Sequence, residues 1–84
     1  MQDELQRLSR LRWRCRRGMK ELDVVLEGYL ASHYPDASAE DRSAFEMLLE
    51  LPDPDLLYQL TGRSTPADDA QARVIEILRR TAHS

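Results

Sequence analysis

A chain of 84 residues with 42% hydrophobic side chains predicts one small folded domain and excludes a disordered tail. The net charge of −3 is divided unevenly, because residues 1–20 carry seven basic and two acidic side chains and residues 21–84 carry five and thirteen. The acidic balance argues against general nucleic-acid binding, and no apolar run is long enough for a secretion signal or membrane insertion. The single cysteine, Cys15, excludes a disulfide framework and fits the reducing cytoplasm.

Apolar residues at helical spacing predict a first helix over residues 3–16. Its apolar stripe, which spans about 120° of the helix, comprises Leu5, Leu8, Leu11 and Cys15. A second, basic face comprises Arg7, Arg10, Arg14 and Arg17, and Trp13 lies beside it. Two interpretations of Trp13 are open. A neighbouring helix could pack on it beside solvated arginines, or the indole and arginines could form a contact surface, since these residue types dominate binding hot spots.

Gly18 ends or bends this helix, because glycine adopts positive φ at no steric cost. The second helix is predicted over residues 19–33, and its apolar stripe is the most regular in the chain. That stripe comprises Leu22, Val25, Leu26, Tyr29, Leu30 and His33. Gly28 lies off this stripe, inside the helix, where glycine costs about 1 kcal/mol relative to alanine, so a close helix contact is expected there.

Three shorter helices are predicted in the rest of the chain. A turn at residues 34–37 precedes a helix at 39–50, which Ser38 caps. The next helix, at 54–61, starts from Asp53 as its cap and Pro54 as its first residue. The last helix spans 66–81. Their inward residues are predicted to be Phe45, Leu48, Leu49, Leu56, Leu57, Leu60, Ala70, Val74, Ile77 and Leu78. No segment alternates with period two. The prediction is therefore an all-α fold, a compact antiparallel bundle of five helices in a single domain over residues 1–84.

The sequence offers little catalytic chemistry. His33 lies at the edge of an apolar stripe, His83 lies in the C-terminal tail, and Cys15 lies on the stripe as a small hydrophobe. The carboxylates fall at helix starts and on exposed faces, and no His/Asp/Glu grouping has metal-ligand spacing. We therefore predict no catalytic residue, no metal site and no enzymatic activity.

The most unusual stretch runs from Arg16 to Asp23, where the basic segment meets the acidic remainder at Gly18. Arg17 and Glu21 are four residues apart and could pair across the glycine, although an exposed pair contributes at most about 1 kcal/mol. Two interpretations remain: a cap glycine with incidental charges, or a contact surface where a partner approaches the Gly18 backbone between the two charged side chains. We call Arg17, Gly18 and Glu21 the hinge surface.

The segment Arg17-Gly18-Met19-Lys20-Glu21 matches an RGxxE signature. Together with Trp13 upstream, the run from Arg16 to Asp23, Phe45, Leu48-Leu49-Glu50 and Asp53-Pro54-Asp55-Leu56, it makes the chain resemble the SdhE family. These FAD assembly factors are the bacterial relatives of mitochondrial succinate dehydrogenase assembly factor 2. The resemblance covers nearly the whole chain. The chain departs from the family pattern at Gln59, where relatives often carry tryptophan. This departure calls an aromatic contact on the fourth helix into question.

The resemblance implies a five-helix bundle that binds the flavoprotein subunit of succinate dehydrogenase, or of fumarate reductase, and promotes covalent FAD attachment during complex II maturation. It implies that the partner-binding residues are Arg17, Gly18 and Glu21, supported by Trp13, Arg16, Met19 and Asp23. The FAD belongs to the client, so no cofactor is held stably, and the free protein is expected to be a monomer. Some members have been described as antitoxins. The alternative is therefore a regulatory antitoxin or nucleic-acid-binding module that uses the arginine face of the first helix.

Overall fold

The computed structural model describes residues 2–82, with the side chains of residues 4–82; His83 lies outside this range. Within residues 2–82 the structure forms five α-helices and one short 3-10 helix: α1 (Gln2–Arg14), α2 (Lys20–Ser32), the 3-10 turn (Tyr34–Asp36), α3 (Ala39–Leu49), α4 (Asp53–Leu60) and α5 (Asp69–Ala82). No strand occurs within residues 2–82. The predicted all-α class and its five helices are confirmed.

The hydrophobic core lies between α2, α3, α4 and α5. α5 packs against each of the other three, and α1 lies against α2. The rings of Tyr29 and Phe45 stack with their centroids 4.5 Å apart, and both side chains are fully buried. Leu26, Leu48 and Leu78 are likewise fully buried. The inward residues predicted for α2 are confirmed except for His33, which is exposed beyond the end of the helix and stacks on Tyr29.

α1 is attached by only part of its apolar stripe. Leu11 and Cys15 are buried and Leu8 is partly buried, whereas the side chain of Leu5 is 67% exposed. The helix ends at Arg14 and not at residue 16, so Arg17 does not belong to its basic face. The N-terminal turns of α1 therefore extend beyond the apolar surface that α2 provides.

Local chemistry explains where the shorter helices begin. Ser38 caps α3 as predicted, its Oγ accepting from the Asp41 amide at 3.1 Å. The prediction that Asp53 caps α4 is wrong, because Asp53 is the first helical residue and its carboxylate binds Arg17. The start predicted for α5 at residue 66 is also wrong. The helix begins at Asp69, because the Asp68 carboxylate accepts the free amide of Gln71 at 2.8 Å.

The structure also bears on the close helix contact predicted at Gly28 and on the prediction that no segment inserts into a membrane. A Cβ placed on Gly28 would lie 3.5 Å from Thr81 Cγ2, which is an ordinary contact, so α5 passes close to α2 there without requiring glycine. None of the helices within residues 2–82 has the length and apolar character that crossing a membrane requires.

Candidate partner-binding site

The hinge surface lies on the connection between α1 and α2. Gly18 has φ +77°, the left-handed conformation that glycine adopts without strain, as the sequence predicted. A Cβ added at Gly18 would meet no atom within 4 Å beyond its chain neighbours. The Gly18 backbone is thus open to solvent, and another molecule could approach it closely.

Arg17 fastens this connection to the one between α3 and α4. Its side chain is only 14% exposed. The guanidinium donates to the backbone carbonyls of Leu49 and Leu51 and to Asp53 Oδ1, the last at 3.2 Å. These carbonyls lie at and just beyond the C-terminus of α3, where the helix itself offers no donor. The Arg17 amide in turn donates to Asp23 Oδ1 at 2.6 Å. We call this set of hydrogen bonds the Arg17 clamp.

The clamp replaces the ion pair that the sequence suggested. Arg17 turns away from Glu21 and into the connection between α3 and α4, while Glu21 is exposed in the first turn of α2. Two carbonyls and a carboxylate in a partly desolvated place hold a guanidinium better than one solvated carboxylate, because an exposed pair contributes little. The pairing of Arg17 with Glu21 that their spacing would allow is therefore not formed.

Trp13 is 71% exposed, so the interpretation in which a neighbouring helix packs on it is also wrong. The Arg16 guanidinium carbon lies 5.7 Å from the centre of the Trp13 ring, a cation–π distance, and Arg16 Nε lies 3.8 Å from a Glu27 carboxylate oxygen. Arg16 thus joins the end of α1 to α2 at the protein surface.

The seven residues predicted for partner binding divide into two groups. Four face solvent: Trp13, Arg16, Gly18 and Glu21. The other three hold the connection in place: Arg17 through its clamp, Asp23 as acceptor of the Arg17 amide, and Met19 by packing against the core. Sequence reasoning missed Asp53 as the partner of Arg17, since it lies 36 residues away and its position already fits a helix start.

Cys15 is the first residue of this connection, and its side chain is fully buried. Burial, together with the nearby Glu27 carboxylate, raises the pKa of the Cys15 thiol from its ordinary value of 9.0 to about 11. The thiol therefore stays protonated near neutral pH, which agrees with its interpretation as a small hydrophobe. Within the described part of the chain, no three His, Cys, Asp or Glu side chains are grouped so that they could hold a metal ion.

Comparison with known proteins identifies close relatives. Residues 9–82 match the model of the Sdh5 family, described as flavinator of succinate dehydrogenase. The FAD assembly factor SdhE of Methylococcus capsulatus is 49% identical over 71 residues, which cover 84% of this chain and 86% of the relative. The protein of the same name from Shewanella oneidensis is 40% identical over 79 residues, covering 94% and 96%. That of Pseudomonas aeruginosa is 40% identical over 78 residues, covering 93% and 92%.

Proposed function

Because the chain belongs to the family of succinate dehydrogenase flavinators, we propose that it binds the flavoprotein subunit of succinate dehydrogenase and promotes covalent FAD attachment to that subunit. The name FAD assembly factor, carried by relatives that align over most of their length, supports this function. The related flavoprotein of fumarate reductase is a second client of the same kind. The protein thereby supports the assembly of complex II.

One observation carries the proposed contact: an open glycine backbone held in a fixed place. Gly18 presents its main chain without a side chain, and the Arg17 clamp fixes the loop around it. A rigid contact surface loses less entropy when it binds than a flexible loop does. The client would then meet Gly18 between the exposed side chains of Trp13, Arg16 and Glu21.

In this proposal the protein acts by binding and does not take part in the covalent chemistry. Its buried thiol is protonated near neutral pH and is shielded from a client. FAD and the residue that receives it belong to the client, and the factor favours the client conformation in which the bond forms. The free energy by which the factor shifts the conformational equilibrium of the client equals the difference between its binding free energies for the two client conformations. A free, buried cysteine is compatible with work in the cytoplasm.

The direct test is to delete the gene and measure covalent flavin fluorescence in the flavoprotein band of a denaturing gel. We expect the fluorescence to be lost or strongly reduced, and to return when the gene is supplied on a plasmid. Unchanged fluorescence in the deletion strain would overturn the proposed function.

A matched pair of variants tests the contact at Gly18. Gly62 also has positive φ, +82°, and also has no atom within 4 Å of an added Cβ. Asparagine tolerates this backbone conformation, so Gly18→Asn and Gly62→Asn should cost similar amounts of stability, about 1 kcal/mol each. We expect Gly18→Asn to fail in restoring flavinylation and Gly62→Asn to succeed. Equal restoration by both variants would show that no partner approaches Gly18 closely.

A further inference from the structure

A depression beside the hinge surface separates α1 from α3. It encloses about 380 Å³ and is lined by Arg7, Arg10, Leu11, Trp13, Arg14 and Glu46. Apart from Trp13, none of these residues belongs to the proposed contact at Gly18. The depression is thus a second surface, and its charged side chains take no part in the proposed contact at Gly18.

Two of the three arginines in this depression have no acidic partner among the side chains that the structure describes. Arg7 Nη2 lies 2.6 Å from Glu46 Oε2, and the same carboxylate oxygen accepts the Tyr34 hydroxyl at 3.0 Å. Arg10 and Arg14 are exposed and form no ion pair with any side chain of residues 4–82. The Glu46 carboxylate is therefore already bound by Arg7 and Tyr34. The guanidinium groups of Arg10 and Arg14 remain available for a carboxylate of another molecule.

The same depression contains apolar surface. Trp13 is largely exposed along its rim, and Leu11, which is buried against the core, forms part of its lining. An exposed indole is a large apolar area for so small a protein, and tryptophan with arginine is the composition of binding hot spots. A ligand that complements this depression needs carboxylates for the arginines and an aliphatic or aromatic group for Trp13.

We propose that the depression between α1 and α3 binds an acidic segment of the client flavoprotein, with carboxylates at Arg10 and Arg14 and an apolar side chain against Trp13. This inference rests on the proposed function and adds a second contact to the one at Gly18. The arginines attract the segment and set its orientation, while the indole contact slows its release.

Charge favours a protein segment over a nucleic acid at this site. The wall of the depression includes the Glu46 carboxylate, and the exposed Glu50 follows α3 at its C-terminal end. The phosphates of a duplex form a continuous row that is much longer than the span of two arginines. Phosphates outside that span would meet these carboxylates and be repelled. A short acidic peptide can place its carboxylates on the arginines and leave the acidic surface of α3 free.

The first test measures the affinity of the purified client flavoprotein for three proteins: the wild type, Arg10→Gln/Arg14→Gln, and Arg79→Gln/Arg80→Gln. Each double variant loses two exposed arginines, so the net charge changes equally; the control arginines lie on α5, where Arg80 also forms an exposed ion pair with Glu76 at 3.6 Å. We expect about 10-fold weaker binding for Arg10→Gln/Arg14→Gln and a change within about 2-fold for the control. Equal losses in both variants, or no loss in either, would overturn the inference.

The second test uses a synthetic peptide of alternating glutamate and leucine and follows the fluorescence of Trp13, the only tryptophan in the chain. At low salt we expect a saturable shift of the emission to shorter wavelength, which is absent in Arg10→Gln/Arg14→Gln and weakened by salt. A stronger response to duplex DNA than to the peptide would overturn the inference in favour of nucleic acid.

The two tests separate this inference from the proposed function. If the flavoprotein binds the wild type and Arg10→Gln/Arg14→Gln equally well, the function stands and the inference fails. If the wild type does not bind the flavoprotein at all, the proposed function and the identity of the occupant fail together, whatever the peptide does.

Discussion

Among single residues, Arg17 determines most about the candidate site although little of it reaches the surface. Its guanidinium satisfies two carbonyls near the end of α3 and pairs with Asp53, which are roles of a structural residue. The RGxxE signature therefore joins residues with different tasks: Arg17 holds the loop, and Gly18 and Glu21 are presented by it. A loss of client binding in Arg17→Ala would consequently not identify Arg17 as a contact.

We predict that Arg17→Ala lowers the free energy of unfolding by about 2–3 kcal/mol, because it leaves two carbonyls and a partly buried carboxylate without their donor. Arg17→Lys should lose about 1–2 kcal/mol, since an ammonium group cannot reach three acceptors as a planar guanidinium does. Urea unfolding followed by circular dichroism measures both values. The control is Arg16→Ala, whose side chain is 64% exposed and which should change stability by less than about 0.5 kcal/mol. An Arg17→Ala variant as stable as this control would contradict the clamp.

At the scale of helices, α4 carries a polar side chain in the core. Gln59 is 9% exposed and its Oε1 has no hydrogen-bond partner within the described residues. The family resemblance leads us to expect an aromatic side chain at this position. Gln59 faces inward with Leu56, so a large side chain here would pack in the bundle rather than against a partner. A buried amide oxygen without a partner costs stability.

We predict that Gln59→Leu raises the free energy of unfolding by about 1 kcal/mol, because leucine has a similar volume and no polar atom to satisfy. Gln59→Glu, which places a charge in the same position, should instead lower the stability. Thermal unfolding of the two variants beside the wild type measures the difference. Destabilisation by leucine would mean that the Gln59 amide makes a contact that stabilises the fold.

The sequence predicts the helices better than it predicts the site. Periodic apolar residues and short-range caps place α2 and α3 within about two residues, because these signals act over three or four positions. The start of α5 is off by three residues, since Thr65 and Asp68 both offer cap chemistry and only the fold selects Asp68. Gln59 is missed because an apolar pattern does not register a buried amide. The contact between Arg17 and Asp53 depends on how α3 and α4 dock, which no local spacing encodes.

For the whole molecule, buried ionisable groups make the stability depend on pH in the alkaline range. Burial raises the pKa of the Cys15 thiol to about 11, and it also raises the pKa of Tyr29 and of Tyr34. Each group keeps its proton up to a higher pH in the folded chain than in the unfolded one. Their contribution to stability is therefore complete below the unfolded pKa and is lost as the pH rises through the folded pKa.

We predict that between about pH 8 and pH 10.5 the wild type loses about 2 kcal/mol more stability than Cys15→Ala does. The cavity left by the substitution lowers the stability of the variant at both pH values, and the two tyrosines act equally in both proteins, so the difference isolates the thiol. Urea unfolding at the two pH values provides the measurement. Parallel losses in both proteins would show that the pKa of the Cys15 thiol is not raised in the fold.

The Arg17 clamp also bears on the order in which the protein can mature during its synthesis. Its side-chain partners follow Arg17 by 32, 34 and 36 residues, at Leu49, Leu51 and Asp53. Translation proceeds from the N-terminus, so the RGxxE segment leaves the ribosome well before the residues that fix it. A nascent chain with α1 and α2 alone would carry the signature without its fastened geometry. Under the proposed function, the contact surface for the client is thus completed late, only after the junction of α3 and α4 has folded.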